Sequence, residues 1–392
     1  MTFKDENEFE DAVINLLVKE KGWSGGVIKY PTEEDLIQNW ADILFKINNE
    51  VDRLNGVPLN KGEITQLMSQ INLLQTPNQR NEFINSKEMS IIRENKEDKL
   101  HYGKRISLKI FDRNEIAAGS SIYQIARQPR FAKEDPVDRD RRGDFMLLIN
   151  GLPVIHVELK RSGVAIEHAI QQIKTYMHEN KFRGFFSLIQ VFIAMSPDDM
   201  KYFANPGSAD AFNEDYYFYW ADFNNEITVD WKTICSEFLS IPMAHQLIGY
   251  YTIADTRDGV LKVMRSYQIY ATRELVDRVR EKQRNNWTIK DQLGGYIWHT
   301  TGSGKTLTSF KSAELIAQLG YCDKVIFLVD RITLADQTVR EFEGFSNYEE
   351  IFATENTDAL LRILTDDKEG RLIVTSIQKM SNLVDGGQIP EN

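Results

Sequence analysis

The 392 residues predict an α/β protein in two domains. Three observations carry this. Strand-like and helix-like runs interleave along the chain. Their character changes near residue 250. Beyond that point, near-continuous apolar strands alternate with helices, the pattern of a parallel sheet covered on both faces. The domains are expected over residues 1–250 and 251–392.

The first domain starts with a helix over 5–20, where Phe9, Val13, Leu16 and Leu17 share a face. Residues 33–95 read mostly helical, broken by turns at NGVP (55–58) and TPNQ (76–79). Strands are expected at 105–111, 121–128, 144–149 and 153–159, a helix at 164–180, and further strands at 186–196 and 216–223. In the second domain a helix over 274–283 precedes a short strand GGYIW (294–298). A Gly-rich turn follows, then a helix through Gln318, a strand KVIFLVD (324–330), a helix LADQTVREF and a strand RLIVTS (371–376).

With 42% hydrophobic and 27% charged residues, the chain is ordinary globular material. The acidic start MTFKDENEFED has no apolar core of a signal peptide. The longest apolar run, Phe185 to Met195, is interrupted by Ser187 and Gln190 and falls short of the ~20 residues that span a bilayer. Cys235 and Cys322 are far apart and form no CxxC, which suits a reducing cytoplasm and offers no zinc site. A net charge of −11 weighs against a nucleic-acid partner only at the level of the whole molecule. Locally, residues 127–142 carry Arg127, Arg130, Lys133, Arg139, Arg141 and Arg142, and residues 257–284 carry eight Lys/Arg against four Asp/Glu.

HTTGSGKT (299–306) lies between an expected strand and an expected helix. Gly302 and Gly304 let the backbone wrap phosphate oxygens, with the N–H groups of Thr301 to Thr306 converging at a helix N-terminus. Lys305 supplies a charge for the β/γ-phosphates of ATP, and the Thr306 hydroxyl suits Mg²⁺. The usual first glycine of this loop is replaced by His299. FLVD (327–330) has the form of a Mg²⁺-binding strand, but Asp330 is followed by Arg331 and not by an acid. The acidic run 366–369 precedes its strand and reads as a turn.

The segment from Asp144 to Lys160 is acid, apolar strand, turn, apolar strand, then Glu-Leu-Lys. Asp144 and Glu158, with the Leu159 backbone carbonyl, make a hard-oxygen donor set for Mg²⁺. Lys160 can orient or activate a water for attack on a phosphodiester. One geometric condition governs this. A plain two-residue loop at Asn150-Gly151 sets Asp144 opposite Val157 and sends the two carboxylates to opposite faces. A three-residue loop over 150–152 or one bulge is required to pair Asp144 with Glu158. On the helix that follows, Gln172 and Tyr176 form a stripe that could reach back to the acids or to a DNA phosphate. Glu8 or Glu10 on the first helix is a candidate further acid. His156 is expected to hydrogen-bond as a neutral imidazole.

In this order, Asp144, Glu158-Leu159-Lys160 and Gln172-x-x-x-Tyr176 resemble the PD-(D/E)xK nucleases of the RecB-like group, although Gly143 stands where the motif has proline. The alternate phosphate loop resembles the RecA-like domain of superfamily 2 helicases and translocases. RSYQIYA (265–271) is similar to their adenine-reading motif, with Gln268 as the base contact, and VDRITLADQ (329–337) and VTSIQK (374–379) to their strand-contacting motifs. Together the chain resembles the restriction/motor subunit of type I restriction–modification enzymes, the HsdR family. The resemblance implies a PD-(D/E)xK nuclease domain followed by the beginning of a RecA-like motor, with the chain ending before the DExx box as an N-terminal fragment. It implies Mg²⁺ and ATP as cofactors, double-stranded DNA as substrate, and modification (methyltransferase) and specificity subunits as partners. Three other readings stand beside it: a single-chain restriction enzyme, a repair helicase–nuclease, and a nucleotide-gated DNA-binding or assembly module with an inactive nuclease.

Overall fold

The computed structural model describes residues 2–116, 119–133, 141–284, 294–345, 351–366 and 371–387. The chain divides into two compact units, one of Met1–Ala254 and Gly259–Arg265, the other of Asp255–Asp258 and Ser266–Asn392. Each is mixed α/β with parallel strand pairs in its sheet.

In the first unit, α1 (Glu6–Glu20) is capped by Asp5, which accepts the Asn7 amide at 2.8 Å, and buries Phe9, Val13 and Leu17. After β1 (Val27–Lys29) come α2 (Glu33–Ile47), α3 (Lys61–Asn72) and α4 (Pro77–Asn85). Each opens on a reciprocal capping box: Thr32 with Asp35, Asn60 with Glu63, Thr76 with Gln79. β2 (Glu88–Ile92) and β3 (Arg105–Lys109) form an antiparallel pair. The main sheet continues through β4 (Tyr123–Arg127), β5 (Phe145–Ile149) and β6 (Leu152–Leu159), crosses by α5 (Glu167–His178) to β7 (Val191–Ser196), and ends at β8 (Asp199–Ala204). Its order is β1-β4-β5-β6-β7-β8, with β1/β4 and β6/β7 parallel and the other pairs antiparallel. All eight residues of β6 are buried, because α1, α5 and the 3₁₀ turn Gly184–Leu188 pack against it. The unit closes with α6 (Trp231–Glu237), α7 (Met243–Gly249) and the two-stranded sheet of β9 (Thr252–Asp255) and β10 (Val260–Val263).

The second unit runs α8 (Ser266–Arg284), α9 (Lys305–Gln318), β11 (Val325–Val329), α10 (Ile332–Phe345), β12 (Ile351–Ala353), α11 (Thr357–Thr365), β13 (Leu372–Ser376) and α12 (Ile377–Asp385). Its sheet is parallel in the order β11-β13-β12. Leu360, Ile363, Ile373 and Leu383 gather α11, β13 and α12 into one core.

Several expectations are corrected. GGYIW (294–298) is irregular, and Tyr296 and Trp298 are 90% and 87% exposed. No strand among the described residues pairs with it, so its backbone gains no ladder. The expected strand at 216–223 is reduced to isolated bridges, Tyr202 with Phe218 and Ala221 with Ile227. There Asp222 accepts the amides of Asn224 and Glu226 and turns the chain. The run 186–196 begins as a 3₁₀ turn, and extended structure starts only at Val191. Within the mostly helical 33–95, β2 departs from expectation. Arg139 of the basic stretch, and Asp367, Lys368 and Glu369 of the acidic turn, lie outside the described residues. No described helix is long and apolar enough to cross a membrane.

The turn between α2 and α3 is tied to β2 by a caged arginine. Arg93 is fully buried and donates to Glu63 at 2.7 Å and Asp98 at 3.0 Å, both also fully buried. Burial alone would raise the Asp98 carboxyl, but hydrogen bonds from Arg93, Asn55 and His101 hold it down at about 2. Arg93→Met therefore strands two buried carboxylates and is expected to cost roughly 3–5 kcal/mol by denaturant unfolding. The wild-type Asp98 contribution is complete above its ordinary value of 3.8 and is lost as pH falls toward about 2. Arg93→Met should flatten that acid limb, and an unchanged limb would show that the cage does not stabilise Asp98.

Candidate active site

The condition at Asn150 is met by a bulge. Asn150 and Gly151, at φ 51° and 82°, form a two-residue loop with Ile149 opposite Leu152. The Asn150 side chain fixes the turn, accepting the Ile122 amide at 2.8 Å and donating to the Ile110 carbonyl at 3.2 Å. The ladder then slips: Leu148 pairs with Pro153 but Leu147 pairs with Ile155, so Val154 is the extra residue. Phe145 consequently faces Val157, which brings Asp144, the residue before β5, level with Glu158.

Asp144, Glu158 and Lys160 are thus brought together. An Asp144 carboxylate oxygen accepts the Leu159 amide at 2.6 Å. Lys160 is buried; its Nζ donates to the Leu159 carbonyl at 2.7 Å and lies 3.4 Å from Glu6. The Leu159 carbonyl named as a metal donor is therefore shared with Lys160. Helix α1 adds two acids. Glu10 is buried, with one oxygen accepting from Arg127 and Gln128, each at 2.9 Å. Glu8 is exposed. Glu6 was not anticipated, although it stands one turn before Glu10 and that spacing could have found it.

The electrostatics are those of crowded acids. Burial, then the neighbouring Glu158 charge, pushes Asp144 well above the usual carboxylate range, although part of its side chain reaches the surface. Burial raises Glu158 to about 8, with Lys160 opposing and Glu6 adding to the shift. Among the described residues, no group of three or more His, Cys, Asp or Glu side chains is arranged to hold a metal ion. The donor chemistry nevertheless fits a hard divalent cation. Glu158 Oε1 and Glu10 Oε1 are buried without a hydrogen-bond partner, and a cation would satisfy such oxygens and offset their repulsion.

The remaining side chains form the frame. His156 is buried among Phe131, Tyr176, Phe182 and Phe192, and burial lowers it to about 4, so the imidazole is neutral at pH 7. Its Nε2 lies 3.1 Å from Glu158. Gly143 is required by this ring, since a Cβ there would lie 2.5 Å from His156 Cε1. Gln172 donates to the Tyr176 hydroxyl at 2.6 Å, and that hydroxyl donates to the Arg142 carbonyl at 2.7 Å. These two residues hold the backbone that leads into Asp144. In the basic stretch, Arg127 pairs with Glu10 and Asp11, and Arg141 pairs with Glu179.

In the second unit, Gly302 and Gly304 both adopt φ 80°, and Gly304 caps α9, which starts at Lys305. Gln268 is buried and donates to the Ser303 and Gly304 carbonyls at 3.1 and 3.4 Å, joined on Ser303 by the Tyr267 hydroxyl at 2.9 Å. Lys305 is exposed and donates to the Thr300 carbonyl at 3.1 Å, while Thr301 is exposed and Thr306 half-buried. Asp330, at the end of β11, lies 3.7 Å from Arg331.

Against known families, residues 3–211 match the type I restriction enzyme R protein N terminus. The chain belongs to the type I restriction enzyme R protein family. Residues 267–390 match the SWI2/SNF2 ATPase family. Among curated R-protein relatives, the type I restriction enzyme SauCOLORF180P endonuclease subunit of Staphylococcus aureus is 33% identical over 98% of this chain. The SsaAORF53P endonuclease subunit of Staphylococcus saprophyticus is also 33% identical over 98%, and the EcoprrI endonuclease subunit of Escherichia coli is 32% identical over 38%. The chain spans 38% of the length of the two staphylococcal relatives and 48% of the Escherichia coli one.

The raised Glu158 gives a pH signature. Its folded value of about 8 exceeds the ordinary 4.5, so its stabilising contribution is complete below 4.5 and is lost as pH rises through about 8. Without divalent cation, the melting temperature should fall across that window, and added Mg²⁺ should restore it more at the upper end than at the lower. Glu158→Gln should remove both effects; a variant with the wild-type slope would show that this carboxyl does not titrate there.

Proposed function

We propose that this chain carries the nuclease and ATP-binding parts of the DNA-cutting, DNA-translocating subunit of a type I restriction–modification complex. The observation that carries the reading is the Val154 bulge, which levels Asp144 with Glu158 beside Lys160. The topology agrees with a PD-(D/E)xK core: α1, three antiparallel strands β4, β5 and β6, then α5 crossing to the parallel strand β7. The family match and the relatives named as endonuclease subunits support the same assignment.

In this reading Asp144 and Glu158, with the Leu159 carbonyl, hold Mg²⁺. When bound, the ion would supply Lewis acidity and lower the pKa of a water. Lys160 orients that water, its ammonium held against the Leu159 carbonyl at 2.7 Å. Neutral His156 supports Glu158 without adding charge. Tyr176 and Gln172 keep the Arg142–Asp144 backbone in place. In the second unit, residues 301–306 cradle the phosphates of ATP and Gln268 holds the loop from behind. The SWI2/SNF2 match favours a translocating ATPase. Double-stranded DNA is the substrate, and modification and specificity subunits supply the sequence recognition. The relatives' names favour this over a repair helicase–nuclease or an inactive assembly module.

In the full-length subunit reconstituted with its complex, Asp144→Ala and Lys160→Ala should each reduce Mg²⁺-dependent cleavage by at least about 100-fold while leaving ATP-driven translocation intact. Normal cutting by either variant would refute the nuclease site. Conversely, Lys305→Ala should abolish translocation and ATP hydrolysis, and a wild-type rate would refute the phosphate loop.

A further inference from the structure

Gln128 sits just past β4 with φ 47°, in the left-handed region that glycine and asparagine adopt readily and glutamine does not. Such a backbone is disfavoured and persists where surrounding contacts over-determine it. Here those contacts point both ways across the candidate site. The Gln128 amide N–H donates to the Asp144 carbonyl at 2.7 Å. Its side-chain Nε2 donates to Glu10 at 2.9 Å and to Asn7 at 3.3 Å. One residue therefore ties the backbone of the acid before β5 to the side chain of the acid on α1.

The consequence falls on Glu10. Gln128 and Arg127 both donate to Glu10 Oε2, which fixes the carboxylate plane. The other oxygen, Oε1, is left buried with no hydrogen-bond partner. A carboxylate held by one oxygen, with the other unsatisfied and its charge felt at Asp144, is pre-aimed for something electropositive.

We propose that Gln128 is a positioning residue of the nuclease site, setting Glu10 in register with Asp144. This rests on the nuclease reading given above. Gln128 touches neither substrate nor metal; it acts through Glu10 and through the Asp144 backbone. Partners of this kind, one bond removed from the ligands, commonly govern metal affinity by 10–100-fold. The side-chain length matters as much as the amide, because the αL backbone is fixed by the bond to Asp144.

Gln128→Asn separates the two roles. Asparagine tolerates the left-handed backbone, so the bond to Asp144 survives, but its amide is one methylene too short to reach Glu10. In the full-length reconstituted complex, Mg²⁺ titrations of DNA cleavage are compared for wild type, Gln128→Asn, Gln128→Ala and Asp144→Ala, with translocation and melting temperature as controls. The half-saturating Mg²⁺ concentration should rise about 10-fold in the Asn and Ala variants, with cleavage recovering at high Mg²⁺ and both controls unchanged. A wild-type Mg²⁺ dependence in both variants overturns the proposal. So does a lowered melting temperature with no change in Mg²⁺ dependence, which would mark Gln128 as merely structural. If Asp144→Ala itself cuts normally, the nuclease reading fails and takes this inference with it; if Asp144→Ala is inactive and Gln128→Asn cuts as wild type, only the role of Gln128 fails.

Discussion

A single extra residue in β6 decides how the first unit's acids are arranged. Side chains on a strand alternate with a strict period of two, so a slip of one residue exchanges faces for everything beyond it. Val154 introduces that slip between the turn and the acids. Upstream of it, the Asn150-Gly151 turn sets one register; downstream, Asp144 and Glu158 occupy another in which they are neighbours. The Leu159 amide on Asp144, the contact that joins the two strands at the proposed site, presupposes this offset.

The arrangement is not one that stability alone would select. Burial raises the proton affinity of Asp144 and of Glu158, the Glu158 charge adds to the shift at Asp144, and α1 brings Glu6 close enough to add to the shift at Glu158. Lys160 and Arg127 are compensating charges within the cluster. The rest of the unit supplies rigidity around it. α5 clamps the Arg142 backbone through Tyr176, aromatic rings enclose His156, and α1 is moored through Arg127 and Gln128. Strained or repulsive elements concentrated in one place and held by an over-determined frame are the usual signature of a functional site.

Much of this was legible in the sequence, for reasons that can be assigned. Asp144, Glu158, Lys160, Gln172 and Tyr176 are separated by runs whose periodicity is strong, so their strand and helix placement followed from pattern. The bulge could be required but not located, because nothing in LPVIHVEL marks Val154 over its neighbours. Gln128 was missed because its role depends on α1 lying against β4, a tertiary fact with no local signal, whereas Glu6 had the one-turn spacing from Glu10 as a signal. The segment 294–298 misled for the opposite reason: its apolar residues carry strand propensity, but a strand exists only where another strand offers a ladder. The aromatic run 216–223 failed similarly, since its backbone meets β8 in one bridge, Phe218 with Tyr202, and its rings supply the rest of the packing.

The glycine that stands in place of the motif's proline has a further implication. Positions 143 and 156 share one volume: the imidazole fills the space that a side chain at 143 would need, and supports Glu158 from there. The two positions are therefore a single steric choice written at two distant points of the sequence. A Cβ at the first would force the imidazole at the second to shift, and with it this contact to the acid.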